Sequence, residues 1–106
     1  MFFSSSVMHT QKKGPQWWMV DLGGAFNINL VVVYNRMDTD REEINGAKVY
    51  AGKKYCGKIS YIRGRNVYTI PCQGASASFV KITTVNHYIN VAEVQVYGKY
   101  TFHLIP

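Results

Sequence analysis

The sequence predicts an all-β domain, an antiparallel sandwich or barrel, and three observations carry that expectation. Apolar and polar residues alternate at period two over several short stretches, among them Phe26 to Val32, Phe79 to Thr84 and Glu93 to Tyr97. Turn formers punctuate the chain, most clearly Gly14-Pro15, Gly23-Gly24 and Asn45-Gly46. No segment repeats its apolar residues at helical spacing.

Taken in order, Met1 to Gln16 is a mostly polar lead-in that turns at Gly14-Pro15 into the first strand. Trp17 to Leu22 alternates loosely and ends at Gly23-Gly24; Phe26, Ile28, Leu30 and Val32 then fall at period two, so two consecutive strands are expected. Both Trp17 and Trp18, at the start of a strand, are assigned to the core. A charge-dense loop from Asn35 to Glu43 follows, then the Asn45-Gly46 turn and a strand over Ala47 to Ala51. Lys53 to Arg65 reads as a long hairpin region. Asn66 to Cys72 is a strand whose Pro71 suits an edge or an end, Gln73 to Ala77 a loop, and Phe79 to Thr84 and Glu93 to Tyr97 the last strands.

Composition bounds the function. At 106 residues the chain is one domain with little spare area to offset conformational entropy. Hydrophobic residues make up 47% and charged ones 17%, which is globular and excludes a disordered segment. The longest apolar run, Leu30 to Tyr34, is strand-length, so no membrane span is expected. The start, MFFSSSV, does not read as a secretory leader. A net charge of +6 favours acidic partners, but the lysines are dispersed and no Arg-aromatic run marks a nucleic-acid motif. His87 and His103 show no zinc spacing with the cysteines. The carboxylates near Asp38 lack a second, buried partner of the glycosidase kind, so no enzymatic activity is expected. Cys56 and Cys72 enclose fifteen residues; on spacing alone they are either a bridge or two core thiols.

The succession WWMVDLG from Trp17, NRMD from Asn35 and NGAKVYAG from Asn45 resembles the F-type lectins, the fucose-binding family of eel agglutinin and tachylectin-4-like proteins, relatives of the discoidin (F5/8 type C) domains. The resemblance runs from about Ser6 to Gly98. It implies a β-sandwich jelly roll with the domain over 1–99, an apolar tail over 100–106, and an extracellular, secreted protein. It also implies one further strand before the residues that match Ser6, so the domain is expected to be incomplete at its N-terminus, with the tail covering the open sheet edge. A bridged Cys56–Cys72 pair is implied too, the first cysteine being followed by Gly57 as in the family.

The family's sugar motif, His-x26-Arg-x-Asp-x4-Arg/Lys, is matched at three positions: His9, Arg36 and Asp38. These residue types suit a sugar because vicinal hydroxyls need donors and acceptors in fixed directions, which a neutral imidazole and a guanidinium fork supply, with Asp38 orienting Arg36. The fourth position departs, since Glu43 stands where the family has a cation; Arg41, two residues earlier, is the substitute if the loop is extended. On residues alone, the cluster from Asp38 to Glu43 reads as a solvated loop. The family's adjacent cysteine pair falls on Thr39 and Asp40, and a second bridge on Val7 and Ala92, so both are absent. Ser6 and Glu93 match two ligands of the family's calcium ion, an incomplete set for a cation that takes six to eight oxygens. The function so implied is a lectin for fucosylated glycans, as a monomer or a homo-oligomer. The alternative is a degenerate discoidin-like scaffold that binds protein or anionic surfaces.

Overall fold

The computed structural model describes residues 2–3, 7–9, 15–35, 41–85 and 91–100. Seven strands are present among them: β1 (Phe2–Phe3), β2 (Val7–His9), β3 (Pro15–Asn35), β4 (Lys48–Ala51), β5 (Lys54–Lys58), β6 (Val67–Val85) and β7 (Val91–Tyr100). A 3-10 turn at Arg41–Ile44, inside the stretch expected to be loop, precedes β4. Every pairing is antiparallel, in the order β1-β7-β3-β6-β4-β5, with β2 added to β3.

The register resolves this ladder into two layers that share β3 and β6. Pro15 to Asp21 pairs with Phe79 to Val85, flanked by β2 on one side and by β4 and β5 on the other. Phe26 to Tyr34 pairs with Val67 to Ala77 on one edge and with β7 on the other, β1 lying beyond β7. The first layer gives Trp18, Val20, Leu22, Val49, Val80 and Ile82 to the core; the second gives Phe26, Ile28, Val31, Val33, Val94 and Val96. Burying each such side chain stabilises by about 1.5–3 kcal/mol.

Two of the strands are longer than the sequence reading had them. The expected pair Trp17 to Leu22 and Phe26 to Val32 is one strand, and so is the pair Asn66 to Cys72 and Phe79 to Thr84, the Gln73 to Ala77 loop being part of β6. The turn residues bend these strands without ending them. In β3 the register shifts between Asp21 and Phe26, where Gly23 has φ +76° and its N–H donates to Asp21 Oδ1 at 2.8 Å. A second shift, between Ile28 and Leu30, faces Gln73 and Gly74 of β6, whose φ values are +55° and +76°. An extra residue in a strand reverses which side chains face inward. Hence Val31 and Val33 are fully buried in the core, whereas the expected Leu30 is only half-buried and Val32 lies outside the core cluster. Trp17 is corrected for the same reason of phase: Trp18 is buried, and Trp17, its neighbour on the pleat, is half-buried on the outer face.

The layers are held by contact and by a covalent bond. A Cβ on Gly57 of β5 would lie 3.2 Å from Ile70 Cγ2, and one on Gly52 3.1 Å from Ala77 Cβ, so β5 and the turn before it sit directly on the second layer. The Cys56–Cys72 disulfide joins the same two layers, with Cα atoms 4.8 Å apart. The free edge of β7 is paired by Phe2–Phe3; the tail over 101–106, expected to cover it, lies outside the described residues, while Tyr100 ends β7 opposite Phe26. No helix among the described residues is long and apolar enough to cross a membrane.

Candidate functional site

Chain reach decides which residues share an end of the sandwich. β3 has 21 residues and, kept straight, would span about 70 Å. Yet Pro15 is paired with Val85, and Asn35 with Val91. Val85 and Val91 are six residue steps apart, which bridge at most about 22 Å. Both ends of β3 therefore lie at one end of the sandwich. His9, opposite Trp17 and two pairs inside Pro15, is at that end, and Arg36 follows directly on Asn35.

The frame around this end is well tied. Asn35 is 3% exposed and its N–H donates to the Asn66 carbonyl at 2.8 Å. Ile44, 2% exposed, anchors the 3-10 turn in the core, and its carbonyl accepts from Ala47 N at 3.1 Å. Gly46 N donates to Ile59 O and Ile59 N to Ala47 O, each at 2.8 Å, while Asn45 Oδ1 accepts from Tyr61 N at 2.8 Å. Tyr68, buried in β6, accepts from Ile62 N at 3.1 Å and points its hydroxyl at the Arg65 carbonyl, 3.2 Å away. The loops over 41–47 and 59–66 thus brace one another. Asn45 was legible as a turn former; the roles of Asn35 and Tyr68 carried no signal, because their partners are far away in sequence.

Of the residues expected to contact a sugar, the structure describes the backbone of His9 in β2; Arg36 and Asp38 lie outside the described residues. Glu43 is half-buried within the 3-10 turn. Arg41, the expected substitute for position 43, begins that turn, and its side chain lies outside the described residues.

Ser6 also lies outside the described residues, as do the side chains of Val7 and Ala92. Glu93 is exposed, and its Oε2 accepts from Gln95 Nε2 at 3.0 Å; Gln95 Oε1 in turn accepts from the hydroxyls of Tyr34 at 3.1 Å and Tyr97 at 2.9 Å. Among the described residues no three His, Cys, Asp or Glu side chains cluster as a metal site.

The chain is similar to proteins of known kind along most of its length. The model of the F5/8 type C family described as "NedA-like, galactose-binding domain" matches residues 4–82. Fucolectin-6 of Anguilla japonica is 28% identical over 105 residues, covering 90% of this chain and 55% of its own length. A pentraxin fusion protein of Xenopus laevis is 25% identical over 108 residues, 92% of this chain and 26% of its own. The chain therefore spans about half, or a quarter, of these curated relatives. Among solved structures, a serum fucolectin of striped bass, Morone saxatilis, superposes with a TM-score of 0.77 at 28% identity, covering 86% of this chain and 34% of that one. The lectin domain of lectinolysin, solved with Lewis b antigen, gives 0.73 at 27% identity over 84% of this chain and 69% of that one. The two-layer sheet is accordingly the jelly roll of these lectin domains.

Proposed function

This chain belongs to the NedA-like, galactose-binding family of F5/8 type C domains, and from that premise we propose that it is a carbohydrate-recognition module for L-fucose-bearing glycans. One observation carries the reading: the strand that holds His9 and the strand that leads into Arg36 and Asp38 end together, at the end braced by the 41–47 and 59–66 loops. The fucolectins and the Lewis b-binding domain among its relatives give the sugar class.

In this reading the module binds without chemistry. The His9 imidazole and the Arg36 guanidinium donate to ring and hydroxyl oxygens, and Asp38 holds the guanidinium in orientation. Glu43 puts an acceptor where a donor is needed. Loss of a charge-assisted hydrogen bond costs roughly 1.5–3 kcal/mol, so fucose affinity is reduced by about ten- to a hundredfold. The Cys56–Cys72 bridge suits an oxidising, extracellular setting.

Titration calorimetry with L-fucose tests this. The parent chain binds weakly, Glu43→Arg binds more tightly, and Arg36→Ala in that background does not bind. Equal affinity in the parent and Glu43→Arg, or retention on fucose-agarose that is released by salt and not by fucose, overturns the assignment.

A further inference from the structure

The outer face of the first layer carries an open groove of about 410 Å³, lined by Tyr50, Gly52, Lys53, Phe79, Lys81 and Thr83. It lies on the sheet, not among the loops at its end. Its walls follow from the register: Tyr50 and Met19 flank Lys81 on opposite sides, Lys48 and Trp17 flank Thr83, and Asp21 is opposite Phe79. All are outward neighbours of the buried Trp18, Val20, Val49, Val80 and Ile82.

Two chemistries meet there. Lys81 Nζ stands 5.6 Å from the centre of the Trp17 ring, a cation–π distance that props the ammonium over the face. Tyr50 and Tyr55 pack ring against ring with centroids 5.6 Å apart, and Phe79 is half-buried beside them. At the turn between β4 and β5, Gly52 adopts φ +60° and donates its N–H to the Phe79 carbonyl at 2.8 Å, which fixes the turn against the groove. Lys48, Lys53 and Lys81 supply three cations along these rows against one carboxylate, Asp21, which already accepts from Gly23 N. The volume is that of a small-molecule site.

We propose that this groove is a second binding site, for a sulfated sugar unit of a polyanionic polysaccharide. Half-buried aromatic side chains offer an apolar platform with wet edges, which matches the C–H face of a pyranose ring. Lysine ammoniums, as flexible point charges, match a tetrahedral sulfate that needs no planar fork. The net charge of +6 steers a polyanion to the module at long range. The groove's lining includes none of His9, Arg36 or Asp38, although its Thr83 lies in one row with Trp17 and His9, so competition with L-fucose is part of the test. A sulfated saccharide is favoured over nucleic acid because the cations of the groove are lysines without an arginine among them, and because the disulfide suits an extracellular setting.

The test uses the full chain and a highly sulfated glycosaminoglycan oligosaccharide, with its desulfated counterpart, single-stranded DNA of equal charge and phosphatidylserine vesicles as comparators. Binding at about 0.15 M salt is expected for the sulfated oligosaccharide alone, undiminished by saturating L-fucose. The Lys53→Ala/Lys81→Ala double variant weakens it by about tenfold or more, as expected for two lost charge-assisted contacts. Tyr50→Leu weakens it further, while Lys99→Ala, on the second layer, leaves it within about twofold. Melting curves confirm that each variant is folded. An equal loss in Lys99→Ala means diffuse attraction to net charge and overturns the site. Tighter binding of DNA or vesicles overturns the ligand class, and displacement by L-fucose overturns the independence of the groove.

Discussion

Replacing Cys56 and Cys72 together by alanine removes the covalent link between the layers and leaves their ladders intact. The bridge closes a loop with a sequence separation of 16. In the chain-entropy account such a loop confines the unfolded chain by an amount worth about 3 kcal/mol. Cys72 is 1% exposed, so the missing sulfur also leaves a small void in the core, which adds to the loss. For a domain of this size each kcal/mol moves Tm by about 4–8 °C, so the variant should melt roughly 12–24 °C below the parent. Thermal unfolding by circular dichroism, with parent protein under reducing conditions as a second arm, measures this. Because the main effect lies in the unfolded chain, the native spectrum should be unchanged. Amide exchange should rise first in β5, which then retains only its ladder to β4 and its packing against Ile70. A fall in Tm of less than about 4 °C would refute the reasoning, since the bridge would then restrain a chain already confined by other means.

Two further outcomes are expected. Gly98→Ala places a Cβ 2.5 Å from the Asn27 carbonyl oxygen and 3.2 Å from Ile28 Cα, backbone atoms that have little room to yield, so it should destabilise by about 1–3 kcal/mol in a denaturant titration; an unchanged midpoint would show that β7 shifts freely against β3. Calcium should raise Tm by no more than about 2 °C at millimolar concentration, because Ser6 and Glu93 alone do not complete an oxygen shell; a large shift at sub-millimolar calcium would mean that other oxygens serve.

The sequence was most informative where period and burial coincide. Alternation in Phe79 to Thr84 and Glu93 to Tyr97 placed Val80, Ile82, Val94 and Val96 inside, and they are buried. It failed at the bulges. The run from Phe26 to Val32 reads as unbroken alternation, and nothing local in Asn29 announces that it is an extra residue against β7, after which Val31 and Val33, not Leu30, fill the core cluster. The Gly23-Gly24 pair read as a strand end for a related reason: a left-handed residue bends a chain whether the ladder stops or continues, and here the ladder to β6 resumes at Phe26, opposite Ala77. The disulfide was open on spacing alone, since fifteen intervening residues permit a bridge without requiring one. The motif residues are matched by their intervals, but the interval says nothing of the backbone between them, where a 3-10 turn forms at Arg41–Ile44.

The two candidate binding surfaces differ in how tightly the fold constrains them. At the loop end, the proposed sugar contacts follow strand ends, and the braces from Asn35, Asn45 and Tyr68 are made to loop backbone, either by backbone or by core-anchored groups. A glutamate at position 43 is therefore accommodated at little cost to the sheet. On the outer face the reverse holds. Trp17, Lys81 and Tyr50 alternate with Trp18, Ile82 and Val49, so their positions are set by the same pleat that builds the core, and no shift of one can occur without moving the other. A surface fixed in that way is pre-organised even where the loops are remodelled, so the proposed groove keeps its geometry whatever stands at position 43.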